Sequence, residues 1–520
     1  MSPTNRRSPG PISDLEQEQR TLHQILPNQA HWFMTSDGRS PLSVSRDEFE
    51  FSVAHNRLMF SCWTESGSRT WRVTSWRWSD DKLVLEVSRR MGAETSRIEL
   101  VPGASARAIV ANIAAARQER CEQLAQIVAE FDTNAKVEIA KLSPGMRRDQ
   151  PGRYARIILR QPHERIALTG IVTQSDVRNV DALFSSTLLW FQRVLASPKR
   201  PLVQRLLLVV EHDIVDAVRQ RHVLLRDSLR DRIELLEIGH DWTEVAPVAR
   251  FERKNLWRKR LTRFPPVKDS EISERANEIV DYAPQAIDLV ASRHGQTLRF
   301  HGLPFARLRR VMNQDRLWFG IEGSRRRQLD GLHQPDWAKL FHDLETYRNE
   351  ACRDRRHWLY RASGEAWLES ILRRDITKID PGLIIAPLYA QFRTSHGGAF
   401  GISGGARPID LLALRHDGRL VVIELKVSED RDHVFQGVDY WRRVEAHRRR
   451  GHIAAAKLFG DREISDDSPL VYLVAPALRF HPSFRTLAGT IAPDIEIYRF
   501  DINEDWRRGV RVVRRERVNA

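Results

Sequence analysis

Two apolar runs separated by a short Gly-containing turn constrain this chain more than any other stretch. They occupy residues 407–414 and 420–427, with Asp417-Gly418 between them. Apolar runs on either side of such a turn predict a β-hairpin. Side chains alternate faces along a strand, so Glu424 and Lys426 leave one face while Ile423, Leu425 and Val427 leave the other. Turn length decides where Asp410 falls. A two-residue turn pairs it with Leu425, on the face away from Glu424. A three-residue turn pairs it with Glu424 or Lys426 and needs one residue in the left-handed region, which Gly418 occupies without a Cβ clash. In that second register two acids and a lysine converge.

Two converging carboxylates suit a hard divalent cation, because Mg²⁺ is commonly held by one or two carboxylates plus substrate phosphate. A nearby lysine can hold or polarise an attacking water. The alternative is an ordinary hairpin with Glu424 and Lys426 as a solvated pair. Against it stands the apolar run 420–423, since a strand this apolar is covered on both faces and buried charges need a reason.

The stretch Pro408-Ile409-Asp410, thirteen residues, then Glu424-Leu425-Lys426 resembles the PD-(D/E)xK, or restriction-endonuclease-like, nuclease superfamily. The resemblance implies that Asp410 and Glu424 are the acidic pair holding Mg²⁺, or Mn²⁺, and that Lys426 is the catalytic lysine. It also implies an acid from the first helix of the domain, here Glu365 or Glu369, with Glu369 favoured; either could instead be a solvated face. Gln436 and Tyr440 lie at i and i+4 on the helix expected after the ExK strand, so both can point at one locus. That spacing is similar to the subgroup containing the archaeal mismatch-cleaving endonuclease; core packing beside Val444 is the alternative for Tyr440. The resemblance covers the last third of the chain. It implies an αβββαβ nuclease domain over residues 351–520 acting on DNA phosphodiesters. A catalytically silent nucleic-acid-binding protein, an RNase and an effector triggered by a small nucleotide are the rival readings.

A chain of 520 residues is too long for one core. The expected architecture is α/β and multidomain. Residues 1–14 read as a disordered tail rich in Pro, Ser and Arg, and 15–145 as a β-rich module with an amphipathic helix. Residues 146–350 read as an α/β middle domain with a basic connector of short α/β or helical form. No apolar run approaches membrane-spanning length and residues 1–10 lack the apolar core of a signal peptide, so a cytoplasmic protein without a membrane partner is expected. Cys62, Cys121 and Cys352 have no CxxC spacing, which argues against a zinc ribbon or a disulfide framework. No Gly-rich phosphate loop is present, so nucleotide hydrolysis has no support. Asp176, Asp181, Glu211 and Asp213 lie near strand ends without a lysine at ExK spacing.

Charge points to the partner. A total of 83 Lys+Arg against 68 Asp+Glu gives a net charge of +15, a field that favours nucleic acid or another polyanion. Candidate backbone contacts are Arg407 beside the acidic pair, Lys254 and Arg258 in the basic run 253–263, and Arg325 and Arg326. A second candidate face combines Arg69, Trp71, Arg72, Trp76, Arg77 and Trp78, whose rings could stack bases. The competing and preferred reading is a Trp-rich core with the arginines outward, since these residues cannot all share one strand face. A homodimer is compatible with the sequence.

Overall fold

The structure is a computed structural model that describes residues 6–7, 14–26, 31–36, 42–54, 56–64, 67–79, 82–89, 94–102, 106–132, 135–144, 151–173, 180–239, 242–258, 261, 272–292, 295–311, 314–321, 327–386 and 410–520. The chain forms two compact units, residues 1–123, 141–155 and 171–174 in one and 124–140, 156–170 and 175–520 in the other. Among the described residues no helix is long and apolar enough to cross a membrane.

The first unit is built on an antiparallel sheet. From Leu42–Ser45 the order runs through His31–Ser36, Glu94–Pro102, Lys82–Arg89, Gly67–Ser79 and Arg57–Thr64 to Phe49–Ala54. Helix Leu15–Ile25 lies where expected, started by the Asp14 carboxylate accepting from the Gln17 amide at 3.0 Å. Part of the expected tail is paired, Arg6 and Arg7 lying opposite Trp78 and Arg77.

The tryptophans correct the stacking hypothesis. Trp71, Trp76 and Trp78 are all buried, so they cannot offer faces to bases. Strict alternation would have put Trp71 and Trp78 on opposite faces. A register shift between Val73 and Ser75 adds one residue, so odd positions 71 and 73 point inward before it and even positions 76 and 78 after it. Arg72 remains exposed on the outer face, and the side chain of Arg69 lies outside the described residues.

In the second unit, strands Arg165–Ile171, Val203–Glu211 and Ile233–Ile238 pair in parallel, linked by helices Val180–Leu195 and Val215–His222. This is the expected α/β pattern. The segment expected as a short connector is a sheet of its own: strands Ile287–Ser292, Gly295–Phe300, Leu303–Val311, Gln314–Phe319 and Arg327–Gln328 form an antiparallel meander. Its apolar residues Leu298, Phe300, Leu303, Phe305, Leu308, Leu317 and Phe319 make one core with Phe341 and Leu344 of helix Gln334–Tyr347. Arginines interleaved along these strands masked the alternation.

The C-terminal part opens with helix α1 (Gly364–Arg374), followed by strands β1 (Leu383–Ile385), β2 (Leu411–Arg415) and β3 (Leu420–Leu425). Helix α2 (His433–Arg448) and strands β4 (Leu470–Pro476), β5 (Ile497–Ile502) and β6 (Val512–Arg517) complete it. The sheet order is β1-β2-β3-β4-β5-β6, antiparallel through β3, parallel from β3 through β5, and antiparallel again at β6. Strand β3 is buried along its whole length. On one face Val421, Ile423 and Leu425 pack with Trp367, Leu368 and Leu372 of α1. On the other, Leu420 and Val422 pack with Tyr440 and Val444 of α2.

Helix α2 is buried on nearly all sides, from His433 to His447. Its neighbours are apolar on some sides and charged on others, Asp439 meeting Arg221 and Arg442 and Glu445 meeting Arg448 and Arg449. Phe435 meets Phe184 at 5.6 Å between ring centroids, and Trp441 meets Trp257 at 6.3 Å. On its sheet side Gly437 permits the approach to β4, where a Cβ would stand 2.6 Å from the Leu473 side chain.

Candidate functional site

The register of the hairpin settles the position of Asp410. Leu411 pairs with Ile423 and Leu414 with Leu420, and the Arg415 amide donates to the Arg419 carbonyl at 2.8 Å, leaving a three-residue turn, His416 to Gly418. Gly418 takes φ +80, the left-handed region that this turn demands. Extending the pairing by one residue places Asp410 opposite Glu424, on the face that carries Lys426. The side chain of Asp410 is held there because its Oδ2 accepts from the Leu425 amide at 2.8 Å.

Glu424 and Lys426 are buried side by side, with Lys426 Nζ donating to Glu424 Oε1 at 2.7 Å. Glu424 Oε2 meets no donor other than the Asp410 carboxyl, which lies within hydrogen-bonding reach of Glu424. That carboxyl can donate a hydrogen bond only when protonated. Burial, then the facing Glu424, hold Asp410 well above the usual carboxylate range. Burial likewise raises Glu424 against the opposing pull of Lys426. Burial alone would lower Lys426, but Glu424, Glu365 and Asp410 outweigh it and keep the ammonium charged. One lysine thus serves two enclosed carboxylates, and the pair holds a proton more tightly than free carboxyls do.

Helix α1 brings both glutamates near, in different ways. Glu365 Oε2 lies 3.8 Å from Lys426 Nζ. Glu369, the favoured residue of the two, is engaged by Arg373 at 2.7 Å, and the same guanidinium donates to the Asp410 carbonyl at 2.8 Å. Glu369 is therefore neutralised within its own helix while Glu365 faces the lysine.

Helix α2 supplies the remaining wall. Gln436 is buried, with Nε2 3.4 Å from Asp430 Oδ2 and with Oε1 unpartnered. Tyr440 belongs to the apolar cluster around Leu412 and Val422, and burial followed by Glu424 and Asp410 raises its hydroxyl far above the usual phenol range. Packing and proximity to the site both hold for this residue. Sequence reasoning missed Asp430, whose Oδ2 is 3.9 Å from Lys426 Nζ, and His433, whose Nε2 meets the Glu424 carbonyl at 3.2 Å. Because a carbonyl only accepts, His433 Nε2 carries the proton in this contact, and burial beside Lys426 keeps the ring neutral by lowering it to about 3. Both stand in or just after the turn 428–432, where no periodicity marks a functional face.

The outlying candidates do not join this site. Lys254 pairs with Glu252, and Arg258 is exposed after the short helix Arg253–Trp257. Arg407, Arg325 and Arg326 lie outside the described residues. In the middle of the chain Asp181 is bound to Arg221 at 2.8 Å. Cys62, Cys121 and Cys352 are buried free thiols.

The donor set, two adjacent carboxylates, is of the type that a hard cation takes. Among the described residues no group of three or more His, Cys, Asp or Glu side chains gathers at metal-ligating range. The fold thus defines a mixed α/β module with two acids and a lysine at the end of adjacent strands. Comparison of the chain with protein-family models, with curated proteins and with solved structures returns no match.

Proposed function

We propose that the protein is a metal-dependent nuclease that hydrolyses DNA phosphodiester bonds at the Asp410–Glu424–Lys426 cleft. The observation that carries this reading is the enclosed Asp410 and Glu424 pair on one face of the hairpin, with Lys426 Nζ donating to Glu424 Oε1 at 2.7 Å and the Leu425 amide to Asp410 Oδ2 at 2.8 Å. Bound Mg²⁺ would neutralise charge on the phosphoryl oxygens and lower the pKa of its water. Asp410 and Glu424 would hold the ion, each oriented by a hydrogen bond, from the Leu425 amide and from Lys426 respectively. Lys426 stays protonated and stabilises charge developing on the phosphorus substituents. Gln436 and Tyr440 position substrate or lysine, and Glu365 is the helix acid that the geometry favours over Glu369.

The test is incubation with single- and double-stranded DNA and RNA in Mg²⁺, Mn²⁺ or chelator. Cleavage is expected with metal only. Asp410→Ala or Glu424→Ala should lose on the order of a hundredfold or more of the rate, while binding substrate as well or better because a negative charge near the phosphate is gone. Lys426→Ala should lose rate with no gain in binding. Equal cleavage by wild type and Asp410→Ala, or none by wild type under any of these conditions, rejects the reading.

A further inference from the structure

The short helix Trp358–Arg361 precedes α1 in the chain. Its Leu359 enters the core of the meander, and its Tyr360 enters the core that α1 shares with β3. With those two side chains turned inward, Trp358 is left outside, 57% exposed. Among the described residues it is the only tryptophan more than half exposed. Exposure of one apolar side chain is ordinary, as Leu332 shows at 87% between Asp330 and Asp336. Trp358 differs in its support and in the charge around it.

The neighbouring His357 ring stacks on Tyr347 at 3.7 Å between centroids and stands 6.1 Å from the Trp358 ring. His357 Nδ1 accepts from the Leu359 amide at 3.3 Å, and in the preceding turn the Asp354 carboxylate accepts from the Arg356 amide at 3.0 Å. The backbone that carries Trp358 is thus fixed before any partner arrives. Residues 353–361 hold four arginines against one aspartate, and all four arginines are exposed. Arg355 meets Asp505 at 3.6 Å, an acid shared with Arg508. Among the described residues Arg353, Arg356 and Arg361 have no acid partner. Arg361 follows Trp358 by three residues, about one helical turn, and so lies on the same side.

We infer that this face binds unpaired nucleic acid, one base stacking on the Trp358 ring while Arg353, Arg356 and Arg361 take phosphates of the same strand. An exposed aromatic ring accepts the flat face of any base, and guanidinium forks match phosphate oxygens. In a duplex each base face is covered by its neighbours, so the ring selects single strands. An acidic polypeptide would satisfy the arginines alone, and a membrane surface takes up a wider apolar face than one ring. Glu365 follows Arg361 by four residues, at most about 14 Å of chain, and its Oε2 lies 3.8 Å from Lys426 Nζ. A strand held here reaches the Asp410–Glu424–Lys426 site; that delivery rests on the nuclease reading, whereas the binding does not.

The experiment is equilibrium binding to the full chain in chelator, so that no cleavage intervenes. The probes are oligothymidylate, oligouridylate, a thymidine–adenine duplex, an abasic strand of equal length, polyglutamate and phosphatidylserine vesicles. One of the two base-bearing single strands is expected to bind tightest, and the tighter of them tells DNA from RNA. Trp358→Ala should weaken that binding about fivefold to a hundredfold and remove its advantage over the abasic strand, while Trp358→Phe restores most of both. Arg361→Ala should weaken base-bearing and abasic strands alike and lower the salt slope by about one. Leu332→Ala should change nothing. The replaced side chains are exposed, and an unchanged melting temperature shows that each variant folds. Equal affinity of wild type for abasic and base-bearing strands, no loss in Trp358→Ala, tighter binding of the duplex, or preference for polyglutamate or vesicles would each overturn the assignment. Trp358-dependent binding without cleavage in any metal would bear it out and reject the nuclease reading alone.

Discussion

Individual side chains at the Asp410–Glu424–Lys426 site are set by burial acting against charge pairing. Burial penalises three charges at once, and only the mutual attraction of Lys426 with Glu424, Glu365 and Asp410 keeps the set together. Removing one member therefore has a sign that depends on its charge. Asp410→Asn relieves repulsion with Glu424, so the metal-free variant should melt a few degrees higher than wild type, while losing the rise in melting temperature that Mg²⁺ gives wild type. Lys426→Ala leaves two facing carboxylates uncompensated and should cost about 3–5 kcal/mol, part of it recovered by Mg²⁺. Thermal unfolding with and without the ion reads both. A wild type whose melting point ignores Mg²⁺ and Mn²⁺ at millimolar levels would remove the cation from the picture.

At the scale of elements, the hairpin turn is the device that aligns the site. Gly418 stands at φ +80, and a Cβ there would come within 2.9 Å of the Glu463 carbonyl oxygen. Gly418→Ala should cost about 1–3 kcal/mol through left-handed strain, measured by denaturant unfolding. Deleting one residue of the turn is a different perturbation. It slips the register, sends Asp410 to the α1 face, and should abolish cleavage. A deletion that retains activity would show that the acids meet by another route. The Gly67–Ser79 strand shows the same rule from the other side: one extra residue near Thr74 reverses which parity is buried, and that brings Trp71, Trp76 and Trp78 into one core.

For the whole molecule, two quantities follow from composition and burial. A net charge of +15 should make nucleic-acid affinity fall steeply with salt as counterions are released, by about tenfold or more between 50 and 200 mM for only a few phosphate contacts. Affinity flat over that range would make the excess charge incidental. Acid should also destabilise the fold through buried neutral histidines. Burial lowers His222 from 6.5 to about 4, while its ring meets the Arg230 carbonyl at 3.2 Å. Between those values the unfolded chain binds more protons than the folded one, so stability is full above 6.5 and is lost as pH falls toward 4. His222→Gln should flatten that slope in pH-dependent unfolding; an unchanged slope would place the acid sensitivity elsewhere.

What the sequence determined by itself was local. Strand alternation put Glu424 and Lys426 on one face, Gly418 allowed the turn that adds Asp410, and four-residue spacing put Gln436 and Tyr440 on one side of α2. These depend on periodicity and on single-residue backbone freedom, which a chain carries wherever it goes. The tertiary structure decided matters in which distant groups compete. Arg373 claims Glu369 and leaves Glu365 facing Lys426. A bulge turns Trp71 and Trp78 to the same side. Arg219, Arg258 and, from α2, Arg442 line one cavity although they lie in three separate segments. Each of these outcomes is set by a partner far away in the chain, and its energy exists only once the folded backbone has brought that partner within contact.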